Sequence, residues 1–162
     1  MRAKAFLAFT FVFLIAAAGL ASERRLSLDE LAREADLIVK AAVVDIKTAP
    51  RGNGILTTLV TLAVEESWKG SPPGPQVTVS VRGGSAGAVA QAVSGEARFS
   101  PGERTIVFLK AKRGSYTVVG GRQGYFAVKS ETDGKEVAQD ITGDRRAVDN
   151  FRAQVEAVRP RH

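Results

Sequence analysis

The sequence predicts an α+β protein, mainly β, built as a small closed or nearly closed antiparallel barrel with a short N-terminal helix and a C-terminal amphipathic helix. Short stretches of alternating apolar and polar residues indicate strands, and breaks rich in glycine and proline separate them. Helical spacing of apolar residues is confined to the two ends of the barrel region. We therefore expect one domain over residues 22–162, with the barrel at about 37–140.

The first residues have the composition of an export signal. Arg2 and Lys4 precede an uncharged apolar run over residues 5–20, and small residues surround Ala21. That run is shorter than the roughly 20 residues of a membrane-spanning helix, although an uncleaved anchor is the alternative. The sequence thus predicts a signal peptide over residues 1–21, export to the bacterial periplasm or exterior, and no membrane span after cleavage.

Composition limits the chemistry. The chain has no cysteine, which excludes thiolate metal sites, cysteine nucleophiles and disulfides. Its formal net charge is +6, or +4 once Arg2 and Lys4 are removed (21 basic minus 17 acidic residues). This excess is compatible with anionic partners, but the charges are scattered, which is more typical of ordinary solubility.

A capping box predicts the first helix, over residues 28–36. The Ser27 hydroxyl can accept from the Glu30 amide while the Glu30 side chain reaches back. Strands are then predicted at residues 37–47, 55–68, 76–82, 104–112, 116–120 and 125–129, with a hairpin turn at Asp133-Gly134. Between them, residues 83–101 are predicted as a loop with at most a weak helical turn at 88–93.

The second helix is predicted over about residues 145–159. Val148, Phe151, Val155 and Val158 recur at helical spacing, and Pro160 follows. These residues give the helix one apolar face with which to cover the barrel.

Three blocks of the chain carry a resemblance. Residues 35–39 (ADLIV), 64–70 (VEESWKG) and 99–108 (FSPGERTIVF) resemble the strand blocks of netrin-like modules, the fold of tissue inhibitors of metalloproteinases. With residues 123–126 (QGYF), they also resemble uncharacterised exported bacterial proteins. The resemblance implies a five-stranded OB-type barrel over residues 27–128. Those inhibitors chelate the protease zinc through an N-terminal cysteine, whereas the new terminus expected here is Ser22.

A G-x-S-x-G pattern surrounds Ser85, with Asp144 and His162 following in the order of a hydrolase triad. Glycine-rich sequence begins a helix poorly, and the only histidine is the last residue, where chain ends are usually disordered. We interpret the pattern as a flexible glycine turn and expect no enzyme, with a serine hydrolase as the second alternative.

Metal binding is not expected either. Glu65 and Glu66 are candidates for a paired acid and base, but as strand neighbours they should point to opposite faces, which argues against joint chemistry. Four further carboxylates lie near one another without the spacing of a calcium loop: Asp133, Glu136, Asp140 and Asp144. The sequence therefore predicts no metal and no cofactor.

Candidate binding residues are expected at the barrel rim and its glycine-bearing loops. They are Trp68, Gly83, Gly84, Ser85, Arg122, Gln123 and Tyr125. Trp68 is either a core aromatic or a ligand platform.

Export argues against a nucleic-acid partner. We predict a non-enzymatic binding module for an extracytoplasmic protein or anionic envelope polymer, with a protease inhibitor acting through its loops as the alternative. Oligomeric state stays open.

Overall fold

The computed structural model describes residues 24–52 and 54–158, so the predicted signal peptide and His162 lie outside the described part. The elements are, in order, α1 (Leu28–Glu34), β1 (Leu37–Pro50), β2 (Leu56–Lys69), β3 (Gln76–Arg82), β4 (Gly84–Ala86), β5 (Val89–Gln91), β6 (Arg104–Lys112), β7 (Ser115–Val118), the 3₁₀ helix η1 (Gly121–Gly124), β8 (Tyr125–Ser130), β9 (Glu136–Gln139), β10 (Arg145–Ala147) and α2 (Val148–Ala157). The prediction of an α+β, mainly β protein is confirmed.

Five of the described strands close into a ring in the order β1-β2-β3-β7-β6, with β6 pairing back to β1. Neighbours are antiparallel except β3 and β7, which run parallel where Val79 faces Tyr116. Strand direction cannot alternate all the way around a ring with an odd number of strands. The expectation of an entirely antiparallel sheet was therefore wrong at this pair.

The sheet continues beyond the ring from β6. Strands β8, β9 and β10 follow it in antiparallel order. The β8–β9 connection contains the predicted turn, in which the Gly134 amide donates to the Glu131 carbonyl at 3.0 Å. This extension forms a second surface on which the helices can pack.

Two buried clusters lie on opposite faces of β6, the strand from which the extension leaves the ring. Val107 and Leu109 of β6 belong to the cluster inside the ring. Ile106 and Phe108 alternate with them and join Phe151 of α2 in a cluster beneath the helices. This alternation follows from the two-residue period of a strand. One strand therefore contributes to both cores.

Both predicted helices are shorter than expected. The capping box of α1 is present, with Glu30 N to Ser27 Oγ at 3.2 Å and Ser27 N to Glu30 Oε2 at 2.8 Å, but the helix ends at Glu34. The C-terminal helix begins at Val148 instead of residue 145, because Arg145–Ala147 pair with residues 137–139 of β9. No described helix has the length and apolarity needed to cross a bilayer.

The predicted loop at residues 83–101 contains the β4–β5 hairpin, and the expected helical turn at 88–93 is absent from it. Gly84–Ala86 pair with Val89–Gln91 as a small separate sheet. Glycine and alanine, which are both disfavoured in strands, make up most of residues 84–91, so no strand periodicity indicated this hairpin.

The Trp-Lys-Gly block joins the end of β2 to α1. The Lys69 ammonium donates to the carbonyls of Ala32 at 2.7 Å and Ala35 at 2.6 Å, and so satisfies acceptors at the end of the helix. Gly70 has a φ of 74°, and a Cβ there would lie 2.4 Å from the Asp36 carbonyl oxygen. This block therefore has a structural role.

Candidate functional site

A groove of about 720 Å³ lies on the outer face of the ring. In β3, Val79 and Val81 point inward, so Ser80 and Arg82 alternate outward into the groove. Its walls are Arg24, Leu26, Arg51, Ile55, Thr57, Ser80, Arg82, Ser94, Gly95, Glu96, Lys112, Thr117, Val118, Gly120, Gly121 and Gln123. The groove thus crosses β2, β3 and β7 and is bordered by the chain that precedes α1.

The groove carries excess positive charge, with four basic residues and one acidic residue in its walls. Arg82 Nε bonds to Glu96 Oε1 at 2.7 Å, and Arg24 pairs with Glu30. Within the described part of the chain, Arg51 and Lys112 take part in no ion pair, and both are exposed. These two cations are free to bind an anion.

The Gln123 side chain holds one wall of the groove in place. Its Oε1 accepts from the Leu26 amide at 2.7 Å, and its Nε2 donates to the Arg24 carbonyl at 3.0 Å. Beside it, the Arg122 amide donates to the Gly95 carbonyl at 2.8 Å. Of the predicted pair, Gln123 therefore lines the groove, whereas the exposed Arg122 side chain is not among its walls.

Close backbone approach explains the glycine before Arg122. Gly121 has a φ of 56°, and a Cβ there would lie 2.0 Å from the Gly95 carbonyl oxygen. A side chain at this position would separate η1 from the 94–96 segment of the groove wall.

Gly83, Gly84 and Ser85 lie at a second cavity, over one end of the ring. Ser85 is exposed on β4, faces Ala90 across the hairpin, and is followed by β5. A nucleophile elbow requires a helix at this point. The described residues therefore do not form that motif around Ser85.

Trp68 and Tyr125 both pack into cores. Trp68 is 8% exposed, lies edge-on to Phe151 with ring centroids 5.9 Å apart, and donates from Nε1 to Glu66 at 3.2 Å. Tyr125 lies edge-on to Phe99 at 5.1 Å. Burial, with the Glu103 carboxylate adding to it, raises the pKa of the Tyr125 hydroxyl, which has no hydrogen-bond partner among the described residues. Neither ring is placed as an open ligand platform.

A separate network of charges surrounds Lys40. This lysine is only 6% exposed, and its ammonium donates to Glu136 at 2.5 Å and to Glu66 at 3.1 Å. Burial lowers the pKa of Lys40, but the hydrogen bonds to the two carboxylates raise it more, so the pKa ends above its usual value. A lysine held in the charged form is poorly suited to act as a base.

Glu65 and Glu66 enter this same network, contrary to the expectation that they are separated. Lys40 faces Glu66 and Ala41 faces Val64, so Glu65 is the extra residue of a bulge. Glu65 binds Arg104, at 2.6 Å from its Nη2, and Arg104 also pairs with Glu136. The bulge thus turns both glutamates toward neighbouring cations.

The remaining acidic candidates form local contacts. Asp133 pairs with Lys135 at 2.9 Å, and Asp140 accepts from the Thr142 amide at 2.8 Å and the Asp144 amide at 3.0 Å. Over residues 24–52 and 54–158, no group of three or more histidine, aspartate or glutamate side chains is arranged to hold a metal ion.

Comparison of the sequence with models of known protein families found no matching family, and comparison with curated proteins found no matching relative.

Proposed function

We propose that this protein is an exported, non-enzymatic binding module with an OB-type barrel, and that its basic groove binds an anionic polymer of the bacterial envelope. The observation that carries the proposal is the pair of exposed cations, Arg51 and Lys112, which line one groove without carboxylate partners among the described residues.

The position of the groove supports an OB-type assignment. OB barrels have five strands and bind extended ligands on the face of strands 2 and 3, between the loops that join strands 1–2 and 4–5. In chain order, the ring strands here are β1, β2, β3, β6 and β7. Arg51 lies in the β1–β2 connection, Ser80 and Arg82 on β3, and Lys112 at the end of β6 beside the β6–β7 turn. The cations therefore border the face that such barrels use.

The aromatic residues favour recognition by charge over recognition by stacking. Single-stranded nucleic acid is usually bound by aromatic platforms beside basic residues. In the described part of the chain, Trp68, Phe108, Phe126 and Phe151 are buried, and Phe99, Tyr116 and Tyr125 pack against the ring core. A flexible polymer with repeated negative charges needs no stacking platform, and the groove can bind it through Arg51 and Lys112.

Binding of inorganic polyphosphate, with neutral dextran as the uncharged polymer, tests this proposal. We expect polyphosphate to bind and dextran not to bind. The double variant Arg51→Ala/Lys112→Ala should weaken polyphosphate binding about tenfold and lower the salt dependence, since each lost contact between a cation and a phosphate reduces the slope of log K against log salt by about 1. Isothermal titration at several salt concentrations measures both quantities.

Lys129→Ala/Arg145→Ala is the matched control, because it also removes two exposed cations, on β8 and β10, and neither lines the groove. It should leave affinity and salt slope near those of the original protein. Equal weakening by both variants would mean that net charge alone attracts the polymer, and the assignment of the groove would then be wrong.

A further inference from the structure

The chain between β3 and β6 covers one end of the ring with small side chains. The covering stretch contains Gly83, Gly84, Ser85, Ala86, Gly87, Ala88, Ala90 and Ala92. Interior positions of small barrels are normally filled by side chains. Here the small residues leave a cavity of about 550 Å³, which is within the usual range for small-molecule sites at barrel mouths.

Hydrogen bonds fix this cover to β2. The Gly83 amide donates to the Leu56 carbonyl at 2.7 Å, and the Leu56 amide donates to Gln91 Oε1 at 2.8 Å. Gly84 has a φ of 127°, and a Cβ there would lie 2.2 Å from Thr58 Oγ1. The cover is therefore held close to the barrel, and the cavity exists before any ligand enters.

A chain of hydroxyl groups sets the polarity of one wall. Thr58 Oγ1 donates its only proton to the Gly83 carbonyl at 2.7 Å. In the 2.8 Å contact between Thr48 Oγ1 and Thr58 Oγ1, Thr48 must then be the donor. Thr48 Oγ1 is left with acceptor lone pairs only, so this wall calls for a ligand that donates a hydrogen bond.

Apolar side chains and polar groups share the other walls. The half-buried Ile46, Val93 and Phe99 supply apolar surface to the cavity, whereas Val60 is fully buried behind it. The charges of Arg82 and Glu96 compensate each other at the rim, where Arg98 is exposed. The interior thus favours an uncharged, aliphatic body.

We propose that this cavity binds a small uncharged aliphatic alcohol, whose hydroxyl donates to Thr48 Oγ1 while its alkyl chain lies against Ile46, Val93 and Phe99. The site adjoins the basic groove, with which it shares the Arg82–Glu96 pair, but its ligand differs in charge. Neither proposal depends on the other.

Titration of the ¹⁵N-labelled protein with 1-hexanol, followed by amide chemical shifts, tests the site. We expect saturable shifts at Ile46, Thr48, Gly84 and Val93. Thr48→Val keeps the shape and removes the acceptor, so it should weaken 1-hexanol binding about fivefold, the value of one neutral hydrogen bond. Hexyl methyl ether cannot donate, so it should bind more weakly than 1-hexanol to the original protein and equally well to both forms.

Ala90→Trp provides a second variant that does not depend on Thr48. Ala90 is exposed on β5 and lines the cavity, so a large side chain should block entry without disturbing the core. It should abolish the shifts, whereas Arg51→Ala/Lys112→Ala should leave them intact. Absence of saturable shifts at millimolar 1-hexanol, shifts located elsewhere, or tighter binding of hexanoate than of 1-hexanol would each overturn the proposal.

Discussion

Two sets of charged residues on this barrel differ in how their charges are compensated. Around Lys40, each cation has carboxylate partners: Lys40 contacts Glu66 and Glu136, and Arg104 contacts Glu65 and Glu136. In the groove, Arg51 and Lys112 have no such partners among the described residues. The network is partly buried and joins strands that are distant in sequence, whereas the groove faces solvent.

The difference separates charges that hold the fold together from charges that can bind something else. A buried charge must be paired, because leaving it unpaired in a low dielectric costs several kcal/mol. An exposed cation carries no such penalty, and so its partner can be another molecule. Mutations in the two regions should therefore affect different properties.

The largest expected effect on stability is that of Lys40→Ala. We expect it to lower the free energy of unfolding by about 3 kcal/mol, the low end for breaking a buried ion pair, because both glutamates keep some contact with water. Urea unfolding followed by Trp68 fluorescence measures it. Lys47→Ala is the control on the same strand, since Lys47 is 79% exposed in its pair with Asp45 and should cost less than about 1 kcal/mol. Similar losses in both variants would contradict the comparison.

Acid should weaken the network around Lys40, with a smaller effect. Hydrogen bonding from Lys40 is the main cause that lowers the pKa of Glu136 below its ordinary value of 4.5. The unfolded chain therefore binds this proton at a higher pH than the folded protein does. The stabilisation is present above pH 4.5 and is lost as the pH falls through the lower pKa that Glu136 has in the folded protein. Glu136→Gln should reduce stability near neutral pH and converge with the original protein in acid.

Urea midpoints measured from neutral pH down to about pH 3 check this convergence, since carboxylates of this kind titrate over that window. Glu131→Gln is the matched control, because Glu131 is exposed in the β8–β9 connection. A constant gap between Glu136→Gln and the original protein at every pH would refute the role given to its ionisation.

The smallest effect on stability is expected in the groove. Arg51→Ala/Lys112→Ala should change the free energy of unfolding by less than about 0.5 kcal/mol, as is usual for exposed side chains without specific contacts. The same urea experiment measures it. A loss above 1 kcal/mol would place these cations among the structural charges and remove the contrast with Lys40.

Features set by neighbouring residues could be predicted from the sequence. The Ser27–Glu30 capping box located α1, and the alternation through β1 and β2 gave their long hairpin. Pairings between distant segments left no such signal. Arg145–Ala147 became a strand only because β9 offered an edge, so the residues before Val148 could not be distinguished from helix.

The groove was missed for the same reason. Arg51 and Lys112 are far apart in sequence, and each has an ordinary local reading: one lies in a hairpin connection, and the other in a basic cluster at a strand end. Only the closed ring brings them to one surface. Gln123 was predicted as a binding residue from its glycine-bearing segment, but its hydrogen bonds to Arg24 and Leu26 give it a positioning role.

The single parallel contact between Val79 and Tyr116 also has a dynamic consequence. It is the shortest strand pairing in the ring, so local opening of the barrel should begin there. Amide hydrogens along β3 and β7 should therefore exchange sooner than those between β1 and β2. Because the groove crosses β3 and β7, a polymer bound in it would hold these two strands together and slow that exchange.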